Sequence, residues 1–180
     1  MERFRTGNGA AWLDLLSTLA GRYRDERVDA IDTADRLRAW LREFDLEPVG
    51  AVTTEDVAHA AQTREALHRL AVSAVKDARP APADVRHLNA ALARDEGLQV
   101  ASGEAGVRPR RPGSVDDAFA RLARQAVVDL SGQGAGKLRA CGDDTCSGIF
   151  LDHTGRRRWC TDLSCGNRTR VRAHRRRAGA

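Results

Sequence analysis

All four cysteines of the 180-residue chain fall between Cys141 and Cys165, in the pattern C-x4-C-x13-C-x4-C. A close pair on a tight turn presents two thiolates to one point. A second pair, beyond a hairpin-sized insert, can close a tetrahedron around one zinc ion, with Zn–S near ~2.3 Å. The competing readings are four unrelated buried thiols or two redox pairs. The clustering of every cysteine and the absence of C-x2-C spacing favour the metal. The expected ligands are Cys141, Cys146, Cys160 and Cys165, with one zinc per chain. His153 and His174 are alternative ligands nearby, but four cysteines already complete the tetrahedron.

Around these residues the charge is uneven. From Lys137 onward there are eleven Lys or Arg against four Asp, a balance of +7, whereas the first 136 residues carry a balance of −2. The 28 Arg and 2 Lys of the chain reflect a preference for Arg. Such a preference does not explain why the excess sits at one end. A basic tail on a near-neutral body points to a polyanionic partner, nucleic acid before membrane.

The elements that position the cysteines can be read locally. Leu138 to Ala140 is a short strand entering a knuckle, where Gly142 and Asp143-Asp144-Thr145 let the chain turn. Gly148 to Leu151 is strand-like, Asp152 to Gly155 is a turn, and Arg156 to Trp159 returns as a second strand delivering Cys160. From Thr161 the chain turns helical, with Cys165 near the first turn. A helix from about Leu163 to Arg177 puts Arg168, Arg172, Arg175 and Arg176 on one broad face, at spacings of three, four or seven. Trp159 is the core residue of this small module. The arrangement is treble-clef-like.

Upstream, the periodicity is helical. Trp12, Leu15, Leu16 and Leu19 form a stripe ending near Gly21. Asp32 or Thr33 can cap a helix bearing Leu37, Trp40, Leu41 and Phe44. Thr53 with Asp56 resembles a capping box opening a longer helix that ends before Pro80. A fourth helix places Val85, Leu88 and Leu92 inward, with Gly97 as its C-terminal cap. A small β-hairpin flanks Gly103 to Gly106, and Ser114 with Asp117 opens a fifth helix bearing Phe119, Leu122, Ala123, Ala126, Val127 and Leu130. The glycine-rich stretch Ser131 to Gly136 predicts a flexible joint with few contacts. The fold class is therefore mainly α: a helical N-terminal domain with a small hairpin over residues 1–135, and a zinc finger over 136–180.

Cys165-Gly166-Asn167-Arg168, preceded by Arg158-Trp159-Cys160 and by Phe150-x-Asp152-x-Thr154, resembles the CGNR zinc-finger family. Phe4-Arg5-x-Gly7, Leu13-Asp14-Leu15, Leu37-x-x-Trp40-Leu41 and Leu88-Asn89-x-x-Leu92 look like that family's helical ABATE domain. Ser17 stands where many members carry Asn, and the turn between Phe150 and Trp159 is shorter than usual. The resemblance implies a bacterial stress-induced transcription regulator whose finger holds zinc and binds DNA.

The expected function is a zinc-dependent DNA-binding transcription regulator, with double-stranded DNA as partner. Arg forks fit phosphate and the guanine edge, which makes Arg168, Arg172, Arg175 and Arg176 the expected contacts. Asn167 could read an adenine edge or cap the helix, and Arg168 has two open roles: DNA contact, or support of the finger around the Asp152 turn. A homodimer is expected because one finger reads little sequence. The alternatives are an RNA-binding protein and a zinc-stapled interaction module. No apolar run spans a bilayer and the N-terminus has no signal-like h-region, so a cytoplasmic, nucleoid-associated protein is expected. No P-loop, dinucleotide fingerprint, nucleophile elbow or HExxH is present, so no enzyme is expected. His59, His68 and His87 lie singly, and no pattern identifies a small-molecule effector.

Overall fold

The computed structural model describes residues 4–95, 97–103 and 106–178. The N-terminal segment runs into α1 (Ala11–Leu16), which is shorter than its stripe predicted. Leu19 leaves the helix to start β1 (Leu19–Ala20), which pairs antiparallel with β2 (Val28–Asp29), a ribbon that no alternation announced. Helix α2 (Ala34–Glu43) starts at Thr33, whose side chain accepts from the Arg36 N–H. Helix α3 (Thr54–Val75) opens on a true capping box, with Thr53 and Asp56 satisfying each other's backbone. Helix α4 (Pro82–Leu92) begins on a proline, where the missing N–H has no intrahelical role.

Expectations fail at Gly97, Val85 and Val127. Its last turn closes on Ala93, and Gly97 lies beyond it at φ +83° in the following loop. Val85 remains 37% exposed, as does Val127 on the fifth helix. The predicted hairpin is β3 (Val100–Gly103) with β4 (Gly106–Pro109); its tip at Glu104 and Ala105 lies outside the described residues. Helix α5 (Val115–Leu130) again opens on a capping box, from Ser114 and Asp117.

Helices α1, α3 and α5 pack together, and α2 and α4 cover their flanks. Trp12, Leu13, Leu15, Leu37, Trp40, Leu41, Leu67, Phe119 and Leu122 are almost wholly buried between them. The Trp12 indole donates to Asp129 at 2.7 Å, tying α1 to the end of α5.

The expected flexible joint is instead one helical turn, α6 (Gly132–Ala135), folded back against α5. It leads into β5 (Leu138–Ala140), which pairs antiparallel with β6 (Ile149–Leu151). Successive strand residues face opposite sides, and β6 uses both. Ile149 and Leu151 join Leu138 in the core of the helical body. Phe150, between them, packs against Cys160 and Cys165. An unbroken Ile-Phe-Leu run is what a strand buried on both faces requires. Arg156 to Trp159, expected as the second strand, forms no ladder; β5 is the partner of β6. The cysteine-rich segment and the helical body thus share one apolar core.

Candidate metal centre and the basic helix

Each cysteine is held by a separate local device. The Cys141 N–H donates to the Gly148 carbonyl at 2.8 Å, closing the knuckle at the end of β5. Inside the knuckle, the Cys146 N–H donates to the Asp143 carbonyl at 2.9 Å, and the Asp143 carboxylate accepts from the Thr145 N–H and hydroxyl. Cys160 is placed by the Arg156–Trp159 segment, which is pinned to the knuckle where Gly142 N–H meets the Arg158 carbonyl at 2.8 Å. Arg157 grips the same segment through the carbonyls of Trp159 and Cys160. Cys165 sits in a π-helical turn, Asp162–Gly166, whose entry is capped by the Thr161 hydroxyl.

The four sulfurs lie within 4.8 Å of one another. Cys146 and Cys160 are 3.7 Å apart, and Cys160 and Cys165 3.6 Å apart. Bonds of ~2.3 Å at tetrahedral angles require sulfur–sulfur edges of about 3.8 Å, so the donor set fits a tetrahedral thiophilic cation. The electrostatics agree. Hydrogen bonds from Cys146 and Cys160 pull the Cys141 thiol down to about 2; giving those protons to Cys141 pushes Cys146 up to about 12 and raises Cys160 further. Cys141, Cys146 and Cys160, this close, cannot all ionise without a dication among them. Backbone N–H groups of Gly148 and Cys160 point at Cys146 and Cys141, at 3.3 and 3.4 Å, as thiolate ligands require. Gly148 must be glycine, because a Cβ there would lie 2.9 Å from the Cys160 sulfur and 3.2 Å from that of Cys146. Four protein thiolates fill a tetrahedron and leave no position for water or substrate, so the centre is built for structure.

From the π-helical turn emerges α7 (Asn167–Ala178). Arg168 donates through Nε to Asp143 at 2.7 Å and through Nη2 to the Cys165 sulfur at 3.1 Å. Of its two open roles, the geometry displays the supporting one, on the Asp143 turn. The Asp152 turn closes itself, accepting from the Thr154 and Arg157 N–H groups. Burial alone would raise the Asp143 carboxyl, but hydrogen bonds from Arg168 and Thr145 outweigh it and hold the group well below the usual carboxylate range.

Arg172 lies one turn further on and reaches Asp143 at 3.0 Å, Asp144 at 2.6 Å and the Thr145 hydroxyl at 2.9 Å. The Asn167 amide donates to the Leu163 carbonyl and accepts from Arg170, closing the junction of the two helical turns. Gly166 is buried, and a Cβ there would lie 2.4 Å from Asp162 Oδ1. Each position of the Cys165-Gly166-Asn167-Arg168 tetrapeptide therefore has a mechanical task in the finger. Arg175, Arg176 and Arg177 are exposed and form no ion pair among the described residues. Trp159 is half-buried against the cysteine cluster, with the Arg158 and Arg170 guanidinium groups over its ring.

Two matches to known families coincide with this architecture. Residues 9–134 match ABATE, described as "Putative stress-induced transcription regulator", and residues 137–178 match the CGNR zinc finger. The chain belongs to the ABATE family. Its C-terminal module is a CGNR zinc finger, and the four cysteines of that finger fit one zinc ion. No curated protein matches the chain. Neither matched family is described as an enzyme, and no helix among the described residues is long and apolar enough to cross a membrane. The chain is thus a zinc-binding member of a regulator family, with its ABATE body and CGNR finger packed on a common core.

Sequence reasoning missed the residues that join the two. Asn8 folds back onto the buried Asp14, which accepts from its N–H at 2.9 Å and its amide at 2.7 Å. The Asn8 carbonyl then accepts from the Leu151 N–H at 2.8 Å, and the Gly7 carbonyl accepts from Arg157. Ser17 accepts from the Asn8 amide at 2.9 Å. A buried Asp on an otherwise apolar helix face was the available signal.

Proposed function

We propose that the protein is a DNA-binding transcription regulator in which zinc and the Asp143 knuckle aim α7 at duplex DNA. The observation that carries this reading is the division of labour along α7. Arg168 and Arg172 are bound inward to Asp143, whereas Arg175 and Arg176 are exposed beyond them without ion-pair partners among the described residues. A helix anchored at one end and bare of counter-charge at the other is suited to phosphate. Cys141, Cys146, Cys160 and Cys165 hold the metal in this proposal, and Arg175 and Arg176 make the principal DNA contacts. Asn167, Arg168 and Arg172 set the direction of the helix. Arg172, half-exposed, reaches a base only by leaving Asp143 and Asp144. A homodimer would supply the second half-site that one finger lacks, and such a protein works in the cytoplasm at the nucleoid.

The competing reading, single-stranded RNA, needs aromatic platforms for stacking. Trp159 is occupied by the cysteine cluster on one side and arginines on the other, which weighs against it. A gel-shift comparison of duplex DNA with structured RNA at two salt concentrations tests the proposal. Duplex binding that weakens steeply with salt is expected. Preference for RNA would favour the alternative, and binding to neither would make the finger an interaction module.

A further inference from the structure

Between the ABATE body and the finger lies a cleft of ≈ 120 Å³. Its body wall carries Arg5, Asn8, Ser17 and the stretch from Leu19 to Arg24; its finger wall carries Thr145 to Gly148, Cys160, Thr161 and Arg168. Four arginines line it and no carboxylate does. The partners of the two held arginines, Glu65 of Arg22 and Asp143 of Arg168, stand outside the lining.

Three further observations point to a ligand. Arg22 is buried, donates to the Leu16 carbonyl at 2.9 Å, and has an Nε without a hydrogen-bond partner. That Nε has almost no accessible surface, so an occupant of the cleft meets Arg22 through its charge rather than through this N–H. Arg5 and Arg24 are exposed and in no ion pair among the described residues; Arg24 only brushes the Thr145 carbonyl, at 3.3 Å. The remaining polar lining comprises the hydroxyls of Thr6, Ser17, Tyr23, Thr145, Ser147 and Thr161, which can donate to an oxyanion, the Asn8 amide, already given to Asp14 and Ser17, and the sulfurs of Cys146 and Cys160. The volume is about ten times the ~10–15 Å³ that a single water needs. That is room for a phosphate or a small carboxylate, and too little for a nucleotide.

We propose that this cleft binds a small oxyanion, gripped by arginines of the ABATE body on one side and by the knuckle and Arg168 on the other. Because the walls belong to the two modules, an occupant ties the body to the turn that carries Cys146 and to the Arg168–Asp143 pair that aims α7. Occupancy then reports to the finger. Binding of the anion is independent of the DNA proposal; only its effect on DNA affinity rests on it.

The test is calorimetric titration of full-length, zinc-loaded protein with inorganic phosphate and, separately, with succinate, against sodium chloride at matched ionic strength. Saturable one-to-one binding of at least one anion below about 10 mM is expected, and the anion that binds identifies the phosphate or carboxylate class. The double variant Arg5→Gln, Arg24→Gln should weaken it at least about tenfold with zinc content unchanged. Absence of saturable binding by both anions overturns the proposal, as does binding that the double variant leaves intact. A short duplex that displaces the anion competitively would place the cleft in a DNA footprint and likewise overturn the small-ligand reading. A duplex that binds without displacing it supports the proposal.

Discussion

Arg168 and Asp143, 25 positions apart, meet at 2.7 Å with the cysteine cluster beside them. The same guanidinium touches the Cys165 sulfur, so one side chain joins the first knuckle to the helix carrying the last cysteine. Asp143 is 1% exposed and is answered by Arg168, Arg172 and two groups of Thr145. Removing Arg168 leaves this buried carboxylate one guanidinium short, with Arg172 and Thr145 still bound to it.

Arg168→Ala is therefore expected to destabilise the finger by about 1–3 kcal/mol and to speed zinc loss to a chelator. Lysine should rescue it only in part, because it cannot serve Asp143 and the sulfur with one planar fork. Thermal unfolding with a chromophoric chelator reads both quantities. Unchanged stability combined with lost DNA affinity would instead move Arg168 to the DNA side.

Elemental analysis should find one zinc per chain, and Cys160→Ser should lose it. A structural zinc contributes roughly 10–16 kcal/mol of apparent binding energy, and Phe150 and Trp159 are the large apolar side chains that pack around the site among the described residues. Zinc retained at full stoichiometry by the serine variant would remove Cys160 from the ligand set.

A chain ending at Ser131 should be soluble only with difficulty. Leu138, Ile149 and Leu151 complete the body's core, and a buried aliphatic side chain contributes about 1.5–3 kcal/mol. The loss is on the order of 5 kcal/mol, comparable to the whole stability of a small domain. Dye binding and a lowered unfolding temperature are the expected signs. A truncated chain as stable as the intact one would show the shared core to be dispensable.

His68 should give the stability a mild-acid limit. It is buried in α3, and its Nε2 faces the Ser147 carbonyl at 3.3 Å. Burial first, then the Arg22 charge, lowers its pKa from 6.5 to about 4. The unfolded chain takes up this proton near pH 6.5, and the folded chain resists until about 4. The stability difference is full above pH 6.5 and is lost as pH falls toward 4, by up to roughly 3 kcal/mol. In His68→Gln that slope should vanish while other acid effects remain, so the difference between the two denaturation curves across this window is the measurement.

Changing Arg175 and Arg176 together to Gln should weaken binding to every duplex about equally and lower the salt slope by up to about two counterions. The fold should not change, since neither residue makes an ion pair among the described residues. Fluorescence anisotropy across a salt series, on a preferred and a random duplex, separates this from loss of base reading. Full retention of binding and slope would take these arginines out of the interface.

Much of the molecule was readable before folding because its signals are local. Four cysteines confined to a 25-residue stretch, the capping boxes at Thr53 and Ser114, and the stripes through Trp40, Leu67 and Phe119 report on themselves within a few positions. The charge imbalance and the Cys-Gly-Asn-Arg run were equally visible. What tertiary structure alone decided concerns partners distant in sequence. Leu138 and Ile149 fell on short strands within the finger's expected bounds, 136–180, yet they fill the helical core. The helical face that appeared open at Arg168 and Arg172 is turned onto Asp143, because a buried carboxylate at the knuckle draws the nearest cations. Helical spacing places side chains on one face, but it carries no information about what that face meets. That depended on the knuckle folding back over the start of α7, and on Asn8 and Asp14 holding the finger against the body.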